Sequence, residues 1–260
     1  MPNYYFLGTL LPDLIIGEPP EIGFYEFIDL LKNNLSANDM EKVRVLRSLY
    51  DLFNLRVYWK SMVLDPFGNF DANDLEEAFA TQTLLPNYVF KFMEEHESTE
   101  DRLKHFHDLI STFLKSEAEK QTGFLKWFLE LERDLRLVML GFRAKKMGRD
   151  LTRELQNEDP EEEIIAQLLA QKESPVYEPP DKYEDLRPIF EKYYDQPLEI
   201  QRALLEYRFR KIDEHLGITD SFSINRILAY LAELILVEKW QELDKEKGLE
   251  IMNTILKEAT

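Results

Sequence analysis

Apolar residues recur at every third or fourth position through stretches that are too long for strands. Within residues 122–148, Phe124, Trp127, Phe128, Leu131 and Leu135 fall on one stripe of a helix with about 3.6 residues per turn. At an offset of 100 residues, Ile224, Ile227, Leu228, Leu231 and Ile235 repeat the spacing. Strands seldom exceed about ten residues, so both runs predict long helices. No convincing set of alternating, strand-like segments accompanies them. Glycine is scarce, at 9 of 260 residues, and Glu, Lys, Leu and Ala are common. That composition favours helix throughout, and an all-α chain is expected.

Local signals place the remaining elements. Residues 3–16 are apolar and aromatic and are broken by Gly17 and the Pro19-Pro20 pair; they read as an extended segment packed on helices. A short helix is expected near 23–33. Ser36 or Asn38 can cap the next helix, whose apolar stripe reads Val45, Leu46, Leu49 and Phe53, with Asp65-Pro66-Phe67-Gly68 as its stop. Pro86 suits a first helical turn. Ser98 with Asp101 resembles a capping box ahead of a helix of about 18 residues. Asp159-Pro160-Glu161-Glu162-Glu163 reads as another helix start, with anions at the positive end of the helix dipole. The stretch SPVYEPPDKYEDL, residues 174–186, is the best linker candidate, and its prolines favour a stiff, extended path. Asp195 and Pro197 open a helix to about 216, and Ser221 or Ser223 opens a last long one to about 247, followed by a short tail helix.

Charge and composition exclude several functions. Asp and Glu total 50 against 32 Lys and Arg, a net charge of -18. Nucleic-acid binding needs cations to neutralise phosphates, and docking on an anionic bilayer needs them too, so neither is expected. There is no cysteine, which removes disulfides, thiolate nucleophiles and Cys-based metal sites. The N-terminal MPNYYFLGTLLPDL lacks a basic leader and a small-residue cleavage site, and no apolar run approaches the roughly 18 residues that span a bilayer. A cytoplasmic protein is expected.

The chemistry-bearing residues form no motif. His105 and His107 are two apart and so point in different directions on a helix. The residues three before the four histidines are Met93, Arg102, Lys104 and Ile212, so no Glu-x-x-His pair exists for a bundle metal site. No phosphate loop, dinucleotide fingerprint or nucleophile elbow is present. The acidic clusters Glu94-Glu95-His96-Glu97 and Glu161–Glu163 read as solvated faces. No catalytic residue, metal or cofactor is expected. An enzyme built from carboxylates converging between helices is the remaining alternative, because such a site leaves no readable motif.

In an acidic chain, the stretch GFRAKKMGRD (141–150) concentrates Arg143, Lys145, Lys146 and Arg149. Cations in a helix's last turn complement its dipole, and Gly148 suits the left-handed stop. The same cations could dock an acidic partner. Tyr177, within the proline-rich linker, is expected to be exposed and could anchor a partner, whereas Tyr4, Tyr5, Phe6, Trp59, Trp127, Phe128 and Trp240 read as core.

RSLYDLFNLRVYWK (47–60), LELERDLRLVMLGFRAKKMGRDLTREL (129–155) and FSINRILAYLAELILVEKWQELDKEKGLEIMN (222–253) each resemble the helix signature repeated three times in the central-stalk component of V-type and A-type ATPases, called C in prokaryotes and d in eukaryotes. NYYFLGTLLPDL, RAKKMGRDLTRELQNEDP, LAQKESPVYEPPDKYEDL and LVEKWQELDKEKGLEIMNTI resemble a bacterial family encoded within V-type ATPase operons, including those of chlamydiae and Bacteroides-like bacteria. The resemblance implies a three-lobed, funnel-like assembly of long helices with an extended N-terminal segment, with lobes at 1–83, 84–175 and 176–260. It implies a non-catalytic coupling component between the central shaft and the membrane rotor ring, or an assembly factor or regulator of the same machine. Such a protein would lie in the cytoplasm, held at the membrane through the ATPase rather than inserted into it. Asp51, Asn54, Arg56, Glu132, Arg136, Arg143 and Glu238 would line or brace the assembly. Arg56, Arg143, Lys145, Lys146, Arg149 and Tyr177 are the candidate partner contacts.

Overall fold

The computed structural model describes residues 4–174, 176–216 and 222–258, with side chains described as far as Asp244. The described residues are helical and contain no strand. In chain order the helices are α1 (Tyr5–Leu10), α2 (Phe24–Asn34), α3 (Ala37–Trp59), α4 (Ala72–Thr81), α5 (Asn87–Glu95), α6 (Thr99–Lys120), α7 (Gly123–Lys146), α8 (Leu151–Glu154) and α9 (Glu163–Ala170). A 3-10 turn (Asp181–Leu186) leads into α10 (Arg187–Lys192), α11 (Pro197–Leu216) and α12 (Ile224–Glu258). The chain divides into two compact units, Met1–Met40 with Asp181–Thr260, and Glu41–Pro180.

In the first unit α11 and α12 pack along each other, and α1 and α2 lie against α12. The stripe Ile227, Leu228, Leu231 and Ile235 is buried, as its spacing requires. Phe27 meets the Tyr230 ring edge-on at 5.0 Å. The α12 residue Glu238 reaches back to the start of α2, where its carboxylate accepts from the Phe24 N–H at 2.7 Å. That satisfies one of the orphan donors of a helix whose own N-cap is glycine. Tyr4 donates to Asp39 at 2.5 Å, and Ser36 Oγ caps α3 by accepting from Asp39 N–H.

In the second unit α6 and α7 form the long pair, with α5 on α6 and α8 and α9 on α7. Phe124, Phe128, Leu131 and Leu135 are buried on α7. Leu137, Leu155, Ile165 and Leu168 make a satellite core beneath α9. Trp59 stacks on Phe92 and meets Phe106 edge-on, which ties the end of α3 to α5 and α6.

Several expectations change. The N-terminal segment expected to be extended contains α1, because burying Tyr4 and Leu7, three apart, matches a helical turn. Tyr5 and Phe6 then face outward, 58% and 59% exposed, instead of joining the core. On α3 the buried apolar residues are Val43, Leu46, Leu49, Tyr50, Leu52 and Leu55, while Val45 is half-buried and Phe53 lies outside the stripe. Helix α9 begins at Glu163, after a turn in which the Asp159 carboxylate accepts from the Glu161 N–H. Helix α12 continues past Gly248 to Glu258 with no separate tail helix. Gly148 does take the left-handed conformation, with φ of 64°, just past α7. No helix among the described residues is long and apolar enough to cross a membrane.

Candidate functional site

Three groups of charged and polar side chains in the second unit bear on function. The first is a latch on α3. Asp51 and Asn54 are buried polar residues at one-turn spacing. Asp51 accepts from the Asn69 N–H at 2.5 Å, the Asn69 side-chain amide at 2.6 Å and the Phe70 N–H at 3.2 Å. Asn54 donates to the Asp65 carbonyl and accepts from the Asp65 N–H. Arg47 donates to the carbonyls of Phe67 and Gly68. The returning loop 65–70 therefore finds its hydrogen bonds on α3 side chains. Burial raises the Asp51 pKa, and the Asn69 and Phe70 hydrogen bonds with the Arg47 charge oppose that rise.

The second is the cationic end of α7. Lys145 donates to the carbonyls of Lys172 and Ser174, at 2.6 and 2.8 Å. Arg149 lies 3.6 Å from Glu154. Tyr177, expected to be exposed, is half-buried. Its hydroxyl donates to the Val138 carbonyl at 2.7 Å, and its ring lies edge-on to Phe142. The notch that receives it is Gly141, where a Cβ would come within 2.9 Å of Tyr177 Cε2. Lys145 and Tyr177 therefore fasten the linker to α7 and are not free contacts. Arg143 and Arg56 behave differently. Both keep solvent-exposed surface, with the Arg143 guanidinium partly covered, and neither has a carboxylate partner among the described residues. Arg56 lies over the Phe106 ring at 5.8 Å. Partial burial and then the neighbouring Arg56 charge lower the Arg143 pKa. The fold thus brings together two candidate contacts that are distant in sequence and ties Lys145, Arg149 and Tyr177 to internal partners.

The third place has no counterpart among the sequence expectations. Arg102 donates to the carbonyls of His96 and Met93 at the end of α5, a cation where a helix end leaves acceptors unpaired. Ser98 caps α6 through the Asp101 N–H at 3.1 Å. The Asp101 carboxylate is then free to turn toward the histidines. It lies 2.6 Å from His96 Nδ1 and 3.5 Å from His105 Nε2. The His96 and His105 rings stack at 4.6 Å, with 10° between their planes. The hydrogen bond from His96 lowers the Asp101 pKa. On the far side, Asp108 Oδ2 lies 3.5 Å from His105 Nδ1, and Asp108 Oδ1 lies 3.1 Å from His107 Nε2 and accepts from Asn157 at 2.7 Å. Burial alone would raise the Asp108 pKa, but the His107 and Asn157 hydrogen bonds hold it down at about 2. A cleft of about 470 Å³ opens beside the cluster, lined by Tyr88, Lys91, Glu95, His96, His105 and Asp108 among others. The spacing of His105 and His107 predicts that they point in different directions, yet both reach the Asp108 carboxylate. The partner of His105 is His96, nine residues back across a helix break.

Other signature residues act inside the units. Arg136 donates to the His107 carbonyl at 2.6 Å, and burial pushes its pKa down to about 10. Glu238 holds the start of α2.

A family model described as "Protein of unknown function (DUF2764)" matches residues 1–259. An uncharacterized protein of Chlamydia pneumoniae is 32% identical over 264 residues, covering 99% of this chain and 98% of its own length. Uncharacterized proteins of Chlamydia trachomatis serovar D and Chlamydia muridarum are each 28% identical over 263 residues, with the same coverage. No solved structure matches.

Proposed function

We propose that this chain, which belongs to the DUF2764 family, is a non-catalytic structural and coupling component of a V-type rotary ATPase. It would link the central shaft to the membrane rotor ring in the manner of the central-stalk funnel, in the cytoplasm and at the membrane only through its partners. The helix signatures at 47–60, 129–155 and 222–253 support the reading. So does the use their residues find here. Asp51, Asn54, Arg136 and Glu238 spend their polar groups stiffening helices and loops, as a torque-transmitting part requires.

The observation that carries the reading is the Arg56–Arg143 neighbourhood. The Arg56 charge acts against that of Arg143, and such repulsion costs free energy unless something offsets it. The chain has a net charge of -18 and no shortage of carboxylates, yet neither arginine has a carboxylate partner among the described residues. An acidic surface on a shaft or ring protein would supply the missing charge and set orientation. The test is gentle detergent extraction of the native ATPase from cells expressing the chain. Wild type is expected to co-purify with shaft and ring proteins, with density between them in cryo-images. Arg56→Glu/Arg143→Glu, still folded by circular dichroism, is expected to be lost from the complex. A wild-type chain that never co-purifies overturns the reading. Capture in substoichiometric amounts would make it an assembly factor or regulator instead.

A further inference from the structure

We propose that His96, Asp101 and His105 form a binding site for a divalent transition-metal ion of the zinc class, open to the cleft beside α5 and α6. This is independent of the ATPase reading. One donor atom from each of His96, Asp101 and His105, a ring nitrogen or a carboxylate oxygen, lies within 4.8 Å of the other two. Zinc bonds imidazole nitrogen and carboxylate oxygen at about 2.0–2.2 Å, so donors around one ion stand roughly 3–3.5 Å apart. The His105 Nε2 to Asp101 separation of 3.5 Å already has that size. The 2.6 Å between His96 Nδ1 and Asp101 must open by several tenths of an ångström as the ion replaces the proton shared there. The near-parallel rings must also tilt so that their lone pairs converge. Both histidines are only partly buried, with side chains 18% and 29% exposed, so the motion is local.

The surroundings have the form that holds a ligating histidine in place. The other nitrogen of His105 faces the Asp108 carboxylate at 3.5 Å. A carboxylate there favours the tautomer that keeps the proton on Nδ1 and leaves Nε2 free to bind. Asp108 is itself positioned by Asn157 and His107. A purely structural salt bridge needs neither the second histidine nor this outer carboxylate. Two imidazoles and one carboxylate suit zinc, cobalt or nickel over calcium or magnesium, which prefer all-oxygen sites. Three protein donors leave a coordination position for water from the cleft.

The test is calorimetric titration of the full, untagged chain with Zn²⁺, followed by Co²⁺ with its visible spectrum. Stoichiometric binding is expected, with Co²⁺ bands that Zn²⁺ abolishes. Asp108→Asn is expected to weaken binding by about 10- to 100-fold, the usual effect of removing such an outer partner. Loss of a direct ligand in His96→Ala, Asp101→Asn or His105→Gln should weaken it at least as much, and His215→Ala should leave it unchanged. Should a variant fail to fold, Zn²⁺-dependent shifts of the His96 and His105 imidazole resonances in the wild-type chain decide the question. No Zn²⁺ binding by the wild type, unchanged affinity in the folded ligand variants, or resonance shifts confined to other histidines would overturn the site.

Discussion

Gly68 sits so close to the Asp51 carboxylate that a Cβ on it would stand 2.6 Å from Oδ1, and 2.8 Å from Asn54 Nδ2. The loop 65–70 can lie on α3 only because no side chain separates them. Asp51 and Asn54 cannot retreat, since each is committed to backbone groups of that loop. Gly68→Ala is therefore expected to destabilise the fold by about 1–3 kcal/mol, as overpacking of a closed site does. Asp51→Ala strands the Asn69 and Phe70 N–H groups and should cost about 1–3 kcal/mol. Urea unfolding of both variants checks this, and a Gly68→Ala midpoint equal to wild type would show that the latch is slack.

Tyr177 makes the linker part of the second unit. Tyr177→Phe keeps the ring but leaves out the bond to Val138, at an expected cost of about 1 kcal/mol. Gly141→Ala poses opposing effects. Alanine improves helix propensity by about 1 kcal/mol, while the new Cβ meets Leu168 Cδ2 at 2.8 Å and Tyr177 Cε2 at 2.9 Å. Overpacking at about 1–3 kcal/mol should win. The sign is diagnostic: in a Tyr177→Ala background, where part of the crowding is gone, the same Gly141→Ala change should cost less. Thermal unfolding of the four chains measures the coupling, and an equal cost in both backgrounds rules out the notch.

The contrast between these sites and the long helices shows what a sequence carries. Helices α7 and α12 are legible because their apolar stripe is local, repeating within a few residues. Cap residues Ser36 and Ser98 are legible for the same reason. The burial of Tyr177 is not, because it depends on a glycine 36 positions earlier that leaves a notch on another element. The pairing of His96 with His105 is hidden by the break between α5 and α6, which defeats any fixed helical spacing. Tyr5 and Phe6 read as core because hydrophobicity marks what can be buried, not which side of a short helix finds a partner. The meeting of Arg56 and Arg143 requires the packing of α3, α6 and α7, and local periodicity says nothing of it.

The Arg133–Glu158 pair should be the most costly ion pair to break. Its side chains are only 14% and 9% exposed and lie 2.8 Å apart, with Arg133 also 2.6 Å from Glu162. Ser111 donates to Glu158, and Lys115 lies 3.0 Å from it. Burial raises the Glu158 pKa, yet the Ser111, Arg133 and Lys115 bonds bring it below its usual value. A depressed folded value means stability present above the usual carboxylate range and lost as pH falls through the folded pKa. Arg133→Met is expected to cost about 2–3 kcal/mol, less than a fully isolated pair because Lys115 remains. It should also shift acid unfolding to higher pH. Arg133→Met/Glu158→Gln should recover part of that loss, and strict additivity in a double-mutant cycle would refute the coupling.

Glu233 on α12 predicts the opposite pH dependence. It is 4% exposed. Burial pushes its pKa from 4.5 up to about 7, with Arg226 opposing the rise and Asp213 adding to it. The folded chain then holds a proton that the unfolded chain releases between about pH 4.5 and 7. Its contribution to stability is fully present below that window and is lost as pH rises through about 7. The size is on the order of 3 kcal/mol. Glu233→Gln keeps a neutral side chain of the same shape at every pH. Urea midpoints measured from about pH 5 to 8 are expected to decline in the wild type and to stay nearly level in the variant. Equal slopes in the two chains would assign the proton to another group.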